Sequence, residues 1–405
     1  MSRTTLLSKT ATAILSFAAL CGLAATTGCS ANHKKTEHDQ AVARWNGARA
    51  NVLAGLAREQ YKTGNFDKCR QTLAEALKMD PKNADLHILS AKLAIEQNEL
   101  DVASAELNTA QNLDGKNPEP DYLLGCVYQR WQQPRKAYDF YTAAADKNPA
   151  ELAYLLAQAE MLVAMDRQTD ALNLLDDKVA YFEHSAVIRD AVGELLVAQK
   201  RYPQAVDMLR QASVLETDDA GIREHLALAM FLNQQYRDAS QMLSRLVSDE
   251  KFAKRGDLFL ALGECQMQTN RPADARASFE TATELMPASQ EAWLSLSKAA
   301  VAAGDIRRAD MSLKRALALD PDNAEANLML GYVRLKQNRV DDAFKALTKA
   351  SAVENPDALT FCMLGYISQK TGKNDQAVGY YQKALRVKPG DELATKLLAS
   401  VDISE

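Results

Sequence analysis

Apolar residues recur along this chain at intervals of three and four, in paired runs, and no stretch alternates by two. Spacing of three and four stacks side chains on one face of an α-helix, so the pattern predicts helices throughout and no strands. The clearest pair occupies residues 290–323, where two amphipathic helices are joined by a turn at Gly304-Asp305 and stopped at Pro321. Residues 324–357 and 358–391 repeat the pattern, a period of 34 residues. The frame counts without interruption from Ala50 to Asp219, takes in two extra residues near 248–255, and resumes from Gly256 to Asp391, giving ten units.

A few columns of this frame carry the evidence. Position eight is always small: Ala57, Ala91, Gly125, Ala159, Gly193, Ala227, Gly263, Ser297, Gly331 and Gly365. Position twenty is Cys69 in the first unit and Ala in every other. Position twenty-four is large, with Leu in seven units and Tyr141, Phe279 and Tyr381 in the rest. Small against small lets two helices approach closely, and the large residue is expected to fill the space towards the next unit.

With Ala at position twenty-seven in eight units and Pro81, Pro149, Pro287, Pro321 and Pro389 at position thirty-two, the pattern resembles the tetratricopeptide repeat over about 340 residues. Lys178 and Leu246 depart from it at position twenty-seven, and five units lack the proline. The resemblance implies an all-α solenoid of ten helix-turn-helix units in a right-handed superhelix, closed by a capping helix at 392–405. The departures make the centre the least regular part. They suggest an N-terminal arm (39–219, units one to five), an irregular sixth unit (220–255) and a C-terminal arm (256–391, units seven to ten), with bending between the arms.

Ahead of the repeats, residues 1–28 combine Arg3 and Lys9, an uncharged apolar run from Ala11 to Ala25, and small residues before Cys29. That is the layout of an export signal. Its end, Leu23-Ala24-Ala25-Thr26-Thr27-Gly28-Cys29, resembles the lipobox of bacterial lipoproteins, although Thr26 stands where that family usually has Leu. The resemblance implies a lipid on Cys29, and Ser30 in place of Asp points to the outer membrane, facing the periplasm. Cleavage after Ala31 and an uncleaved anchor remain alternatives. Residues 29–38 read as a flexible polar tether in which His33 and His38 lack a third metal ligand.

Composition narrows the function. The net charge of −5 becomes −7 without Arg3 and Lys9, and no basic block offers a footprint for nucleic acid. Cys69, Cys126, Cys265 and Cys362 fall in units one, three, seven and ten, too far apart to pair in a stack of helices, and read as packing residues. Ser295-Leu296-Ser297-Lys298 and two Lys-Thr-Gly triplets echo penicillin-recognising enzymes, but the first lies inside a repeat helix and the triplets end at the turn position. The expectation is a protein without catalytic residues, cofactor, metal or small-molecule substrate.

What remains is the surface that stacking creates. The tetratricopeptide resemblance places a concave partner groove at positions two, five, nine and twelve of the first helices. Here that groove is apolar with an acidic middle: Tyr122, Leu156, Glu160, Asp190, Glu194, Glu224, Phe231, Leu260, Glu264, Met267, Leu294, Leu328, Tyr332 and Tyr366. The Lys and Asn set with which some relatives clasp a C-terminal carboxylate is missing. The expected partner is a protein or peptide segment, and the only membrane attachment is the N-terminal lipid. By architecture the chain resembles repeat lipoproteins that assist assembly of secretion and pilus machines, including the tight-adherence type. A soluble periplasmic adaptor and an enzyme-associated subunit or divergent hydrolase stand as alternatives.

Overall fold

The computed structural model describes residues 31–401, and both the stretch read as an export signal and Cys29 lie outside them. The described residues form twenty-one α-helices and no strand. In the order of the repeats the pairs open with α1 (Ala31–Lys62) and α2 (Phe66–Met79), α3 (Ala84–Glu96) and α4 (Leu100–Leu113), and α5 (Glu119–Arg130) and α6 (Pro134–Lys147). Next come α7 (Leu152–Ala164) and α8 (Gln168–Val179), α9 (Ala186–Ala198) and α10 (Tyr202–Leu215), and α11 (Ala220–Leu232) and α12 (Tyr236–Leu246). After the inserted residues follow α13 (Gly256–Gln268) and α14 (Pro272–Leu285), and α15 (Gln290–Ala302) and α16 (Ile306–Leu319). The array closes with α17 (Ala324–Lys336) and α18 (Val340–Ala350), α19 (Ala358–Lys370) and α20 (Asn374–Val387), and the terminal α21 (Glu392–Ala399).

The ends of these helices follow from local chemistry. Position thirty-four of one unit is the N-cap of the next: the side chains of Asn83, Asp219, Ser289, Asn323, Asp357 and Asp391 each accept from an amide of the following first turn. At the other end of the first helix, position fifteen is left-handed in all ten units, with φ between +57° and +79°. In unit two the Asn98 amide donates to the Ile95 carbonyl and the Glu99 amide to that of Ala94, the paired bonds that close a helix with a left-handed residue. Gly64, Gly304 and Gly372 fill this position without strain, whereas Gln132, Asp166, Lys200 and others hold it against their own Cβ.

The small columns are buried as the frame requires: position twenty is 0% exposed in every unit. In unit one it touches position eight directly, the Cys69 thiol donating to the Ala57 carbonyl at 3.3 Å. The large column faces both its own unit and the next. A Cβ added to Gly193, Gly263, Gly331 or Gly365 would lie 2.4–2.5 Å from Leu209, Phe279, Leu347 or Tyr381, so position twenty-four seats on position eight of its own unit. Towards the next unit, Leu73, Phe279, Leu313 and Leu347 share core clusters with Leu86, Leu296, Ala326 and Phe361 of the repeats that follow.

The chain divides into two compact units, up to Trp131 and from Gln132 onwards. In the second, one core runs from Leu155 to Cys265. It passes through both irregular segments, because Leu246 is buried and the inserted stretch contributes Phe252, 9% exposed, to the same cluster. The cost of irregularity appears in helix length: α8, α12 and α18 have 11 or 12 residues where most second helices have 14.

Both ends differ in detail from the sequence pattern. Helix α1 opens at Ala31 within the stretch read as tether, where no Gly or Pro interrupts the helix. Of its apolar residues Ala50, Ala54 and Ala57 are buried, while Val42, Trp45, Val52 and Leu56 are exposed, since no earlier repeat covers that side. At α21, Ala394, Leu397, Leu398 and Val401 pack on the last unit and Leu393 points outward.

Candidate functional site: the first-helix face

Stacked first helices bring positions two, five, nine and twelve of successive repeats side by side. In the first unit this face forms a depression of about 380 Å³ lined by Arg58, Tyr61, Asp85, Ile88, Lys92 and Glu119 among others. A rule links position nine to position two of the next repeat. Arg58 pairs with Asp85 at 3.5 Å, Lys92 with Glu119, and in the second unit Lys298 with Glu325 at 2.8 Å. These bases were not among the groove residues read from sequence, although the position-nine column already held them. The signal was the acid thirty residues or so downstream, at the start of the next repeat.

The rule fails at the centre of the array. There position nine is itself acidic, Glu160 and Glu194, and position two of the following units is Val187 and Gly221. The structure gathers three of the predicted acidic positions into two arrangements. Asp190 and Glu194, one turn apart on α9, flank the imidazole of His225 on α11: Nδ1 lies 2.9 Å from Asp190 Oδ1 and Nε2 lies 3.3 Å from Glu194 Oε1. The hydrogen bond to Asp190 raises the His225 pKa against the opposing effect of burial, and burial raises that of Glu194. Beside them Glu224 accepts from Arg255 Nη2 at 2.7 Å, and the same guanidinium holds the Asp257 carboxyl below its usual range. Glu264 stands apart and accepts from the Ser295 hydroxyl at 3.0 Å.

The apolar predictions divide by exposure. Tyr122, Leu156, Phe231, Leu260, Met267 and Leu328 are half-buried, and Leu294 is buried. Leu156 and Phe231 pack onto the core of the second unit, Phe231 also edge-on to Tyr236 with ring centroids 6.1 Å apart. Tyr332 and Tyr366 are different: 37% and 43% exposed, they occupy position nine of adjacent repeats, and each ring lies beneath the ammonium of the Lys one turn later, Lys336 and Lys370.

Ser295 and Lys298, the pair that echoed a nucleophile and its base, do not meet functionally. Ser295 gives its proton to Glu264 and Lys298 is turned to Glu325. Cys265 and Cys362 are buried, and burial pushes their thiols up to about 12 and about 11, so both stay protonated and inert at neutral pH. No described helix is long and apolar enough to cross a membrane.

Family models of the tetratricopeptide repeat match residues 50–83 and 71–125, and the model described as the C-terminal domain of cilia and flagella-associated protein 70 matches residues 219–405. The chain therefore carries tetratricopeptide repeats, in an all-α repeat fold. Among solved structures it is similar to MamA, at 24% identity over 40% of this chain and 94% of that one, with a TM-score of 0.38. It is similar to the anaphase-promoting-complex hetero-tetramer Cut9-Hcn1 at 14% identity over 91% and 94%, TM-score 0.43. The C-terminal part of a repeat-containing protein of Cytophaga hutchinsonii shares 14% identity over 59% and 98%, TM-score 0.49. No curated protein sequence matches the chain.

Proposed function

We propose that this chain is an exported, lipid-anchored scaffold of the bacterial envelope that holds a segment of a partner protein against its first-helix face, in the periplasm and in the service of a secretion or pilus machine. The observation that carries the docking face is the pair Tyr332 and Tyr366. Two large aromatic side chains are left partly exposed at equivalent positions of neighbouring repeats. Large amphipathic rings, pinned at low entropy cost by a lysine on one side, are what protein-binding surfaces use as anchors. The anchoring half of the reading rests on Gly28-Cys29 and the apolar run before it.

The two halves are tested separately. A photo-cross-linking residue placed at 332 or 366 of the full chain, in membranes, is expected to trap one and the same protein, and at Val214, exposed on α10, to trap none of it. Identical adducts from all three positions would remove the docking face. Incorporation of labelled fatty acid that is lost in Cys29→Ser is expected; none in the parent chain favours the soluble adaptor, and incorporation that persists in the variant removes Cys29 as the lipid's site.

A further inference from the structure

The cluster at the centre of the first-helix face has a composition that neither packing nor the repeat frame explains. Position five is apolar in eight units but Asp190 and Glu224 in the fifth and sixth, and the sixth unit carries at position six His225, the one histidine at that column. One ligating atom each from Asp190, Glu194 and His225 lie within 4.8 Å of one another. Two carboxylates one turn apart on α9 supply oxygen donors from one rigid element, and the imidazole on α11 supplies nitrogen from the next. The cations nearby are already committed: Arg255 is engaged with Glu224 and Asp257. Two carboxylates thus converge on one imidazole.

We propose that Asp190, Glu194 and His225 form a binding site for a divalent transition-metal ion of the zinc class. Three protein ligands of mixed nitrogen and oxygen type, with further positions left to solvent, are a familiar zinc set, and the absence of thiolate disfavours a structural closed site. Metal binding replaces the proton that now joins the imidazole to a carboxylate, and the ring gives the ion one nitrogen while Asp190 and Glu194 each give it one oxygen. Because α9 and α11 are first helices of successive repeats, the ion ties two repeats together across the face. The site stands whether or not that face binds a partner protein.

The test is zinc titration by calorimetry of the full chain after removal of metal with a chelator. One tight site is expected, weakened tenfold or more in His225→Ala and in the milder Asp190→Asn, and unchanged in His87→Ala, whose imidazole lies between a single carboxylate, Glu106, and the Pro81 carbonyl. Cobalt loaded in place of zinc is expected to give weak visible bands without thiolate charge transfer. Equal affinity in all four proteins, a thiolate band in the cobalt spectrum, or no binding by the parent chain would each overturn the assignment. Far-UV circular dichroism of Asp190→Asn separates loss of the ligand from loss of the fold.

Discussion

At the scale of single residues, the closest contact in each repeat is a matched pair of positions eight and twenty-four. Where position twenty-four is Phe279 or Tyr381, position eight is Gly; where it is Leu, position eight is Ala, Ser or Gly. The geometry gives the reason, since a Cβ on Gly263 would lie 2.5 Å from the Phe279 ring. Gly263→Ala is therefore expected to destabilise the second unit by about 1–3 kcal/mol through overpacking. Adding Phe279→Leu should recover much of the loss, because Ala over Leu is the combination found in units one, two, four and six. Urea midpoints of the two single variants and the double variant measure the coupling. Additive losses would mean that the two side chains do not share one space. The two columns were legible in the sequence; that position twenty-four also seats on position eight of its own unit was not, because a column records residue size and not direction.

At the scale of the element, the shared feature is the left-handed residue that ends every first helix. Lys200 adopts φ +59° there, at a steric cost of about 1–2 kcal/mol for an L-residue, whereas a glycine would relieve it and give up about 0.5–1 kcal/mol in unfolded-chain entropy. Lys200→Gly is expected to raise stability by up to about 1 kcal/mol, and Gly304→Ala to lower it by about 1–2 kcal/mol. Opposite shifts in thermal midpoint check both. The sequence announces this turn openly only in Gly64, Gly304 and Gly372. In the other seven units the period alone locates it, since Asn, Gln, Asp and Lys are placed there by the helices on either side.

At the scale of the whole molecule, repeats couple through shared core, and the two irregular stretches are where that coupling is tested. The inserted residues could have opened the stack; instead Phe252 turns inward beside Leu246 and Leu258 and restores the missing contact. Phe252→Ala is expected to cost about 3 kcal/mol. Nearest-neighbour coupling predicts that hydrogen exchange rises in α12 and α13 and fades over the units on either side, leaving α2 and α3 as they were. Uniform loss of protection along the chain would instead mean one cooperative body. The departures at Lys178 and Leu246 were visible in the repeat columns, but the compensation by Phe252 was not, as it depends on a side chain outside the frame.

Sequence by itself determined the helices, their pairing, the period and the small-residue columns, because each depends on spacing along the chain and a 34-residue repeat states that spacing ten times. It also placed the acidic middle and the two exposed tyrosines of the first-helix face. Tertiary structure decided what those residues touch. Only the stacking of α9 on α11 brings Asp190 and Glu194 to His225, 35 and 31 residues away. It also turns Lys298 from Ser295 to Glu325 and divides the apolar face of α1 into a buried row and an exposed one. Periodicity names the face on which a side chain lies. Its partners come from the neighbouring repeat, at a distance along the chain over which the pattern carries no information about direction.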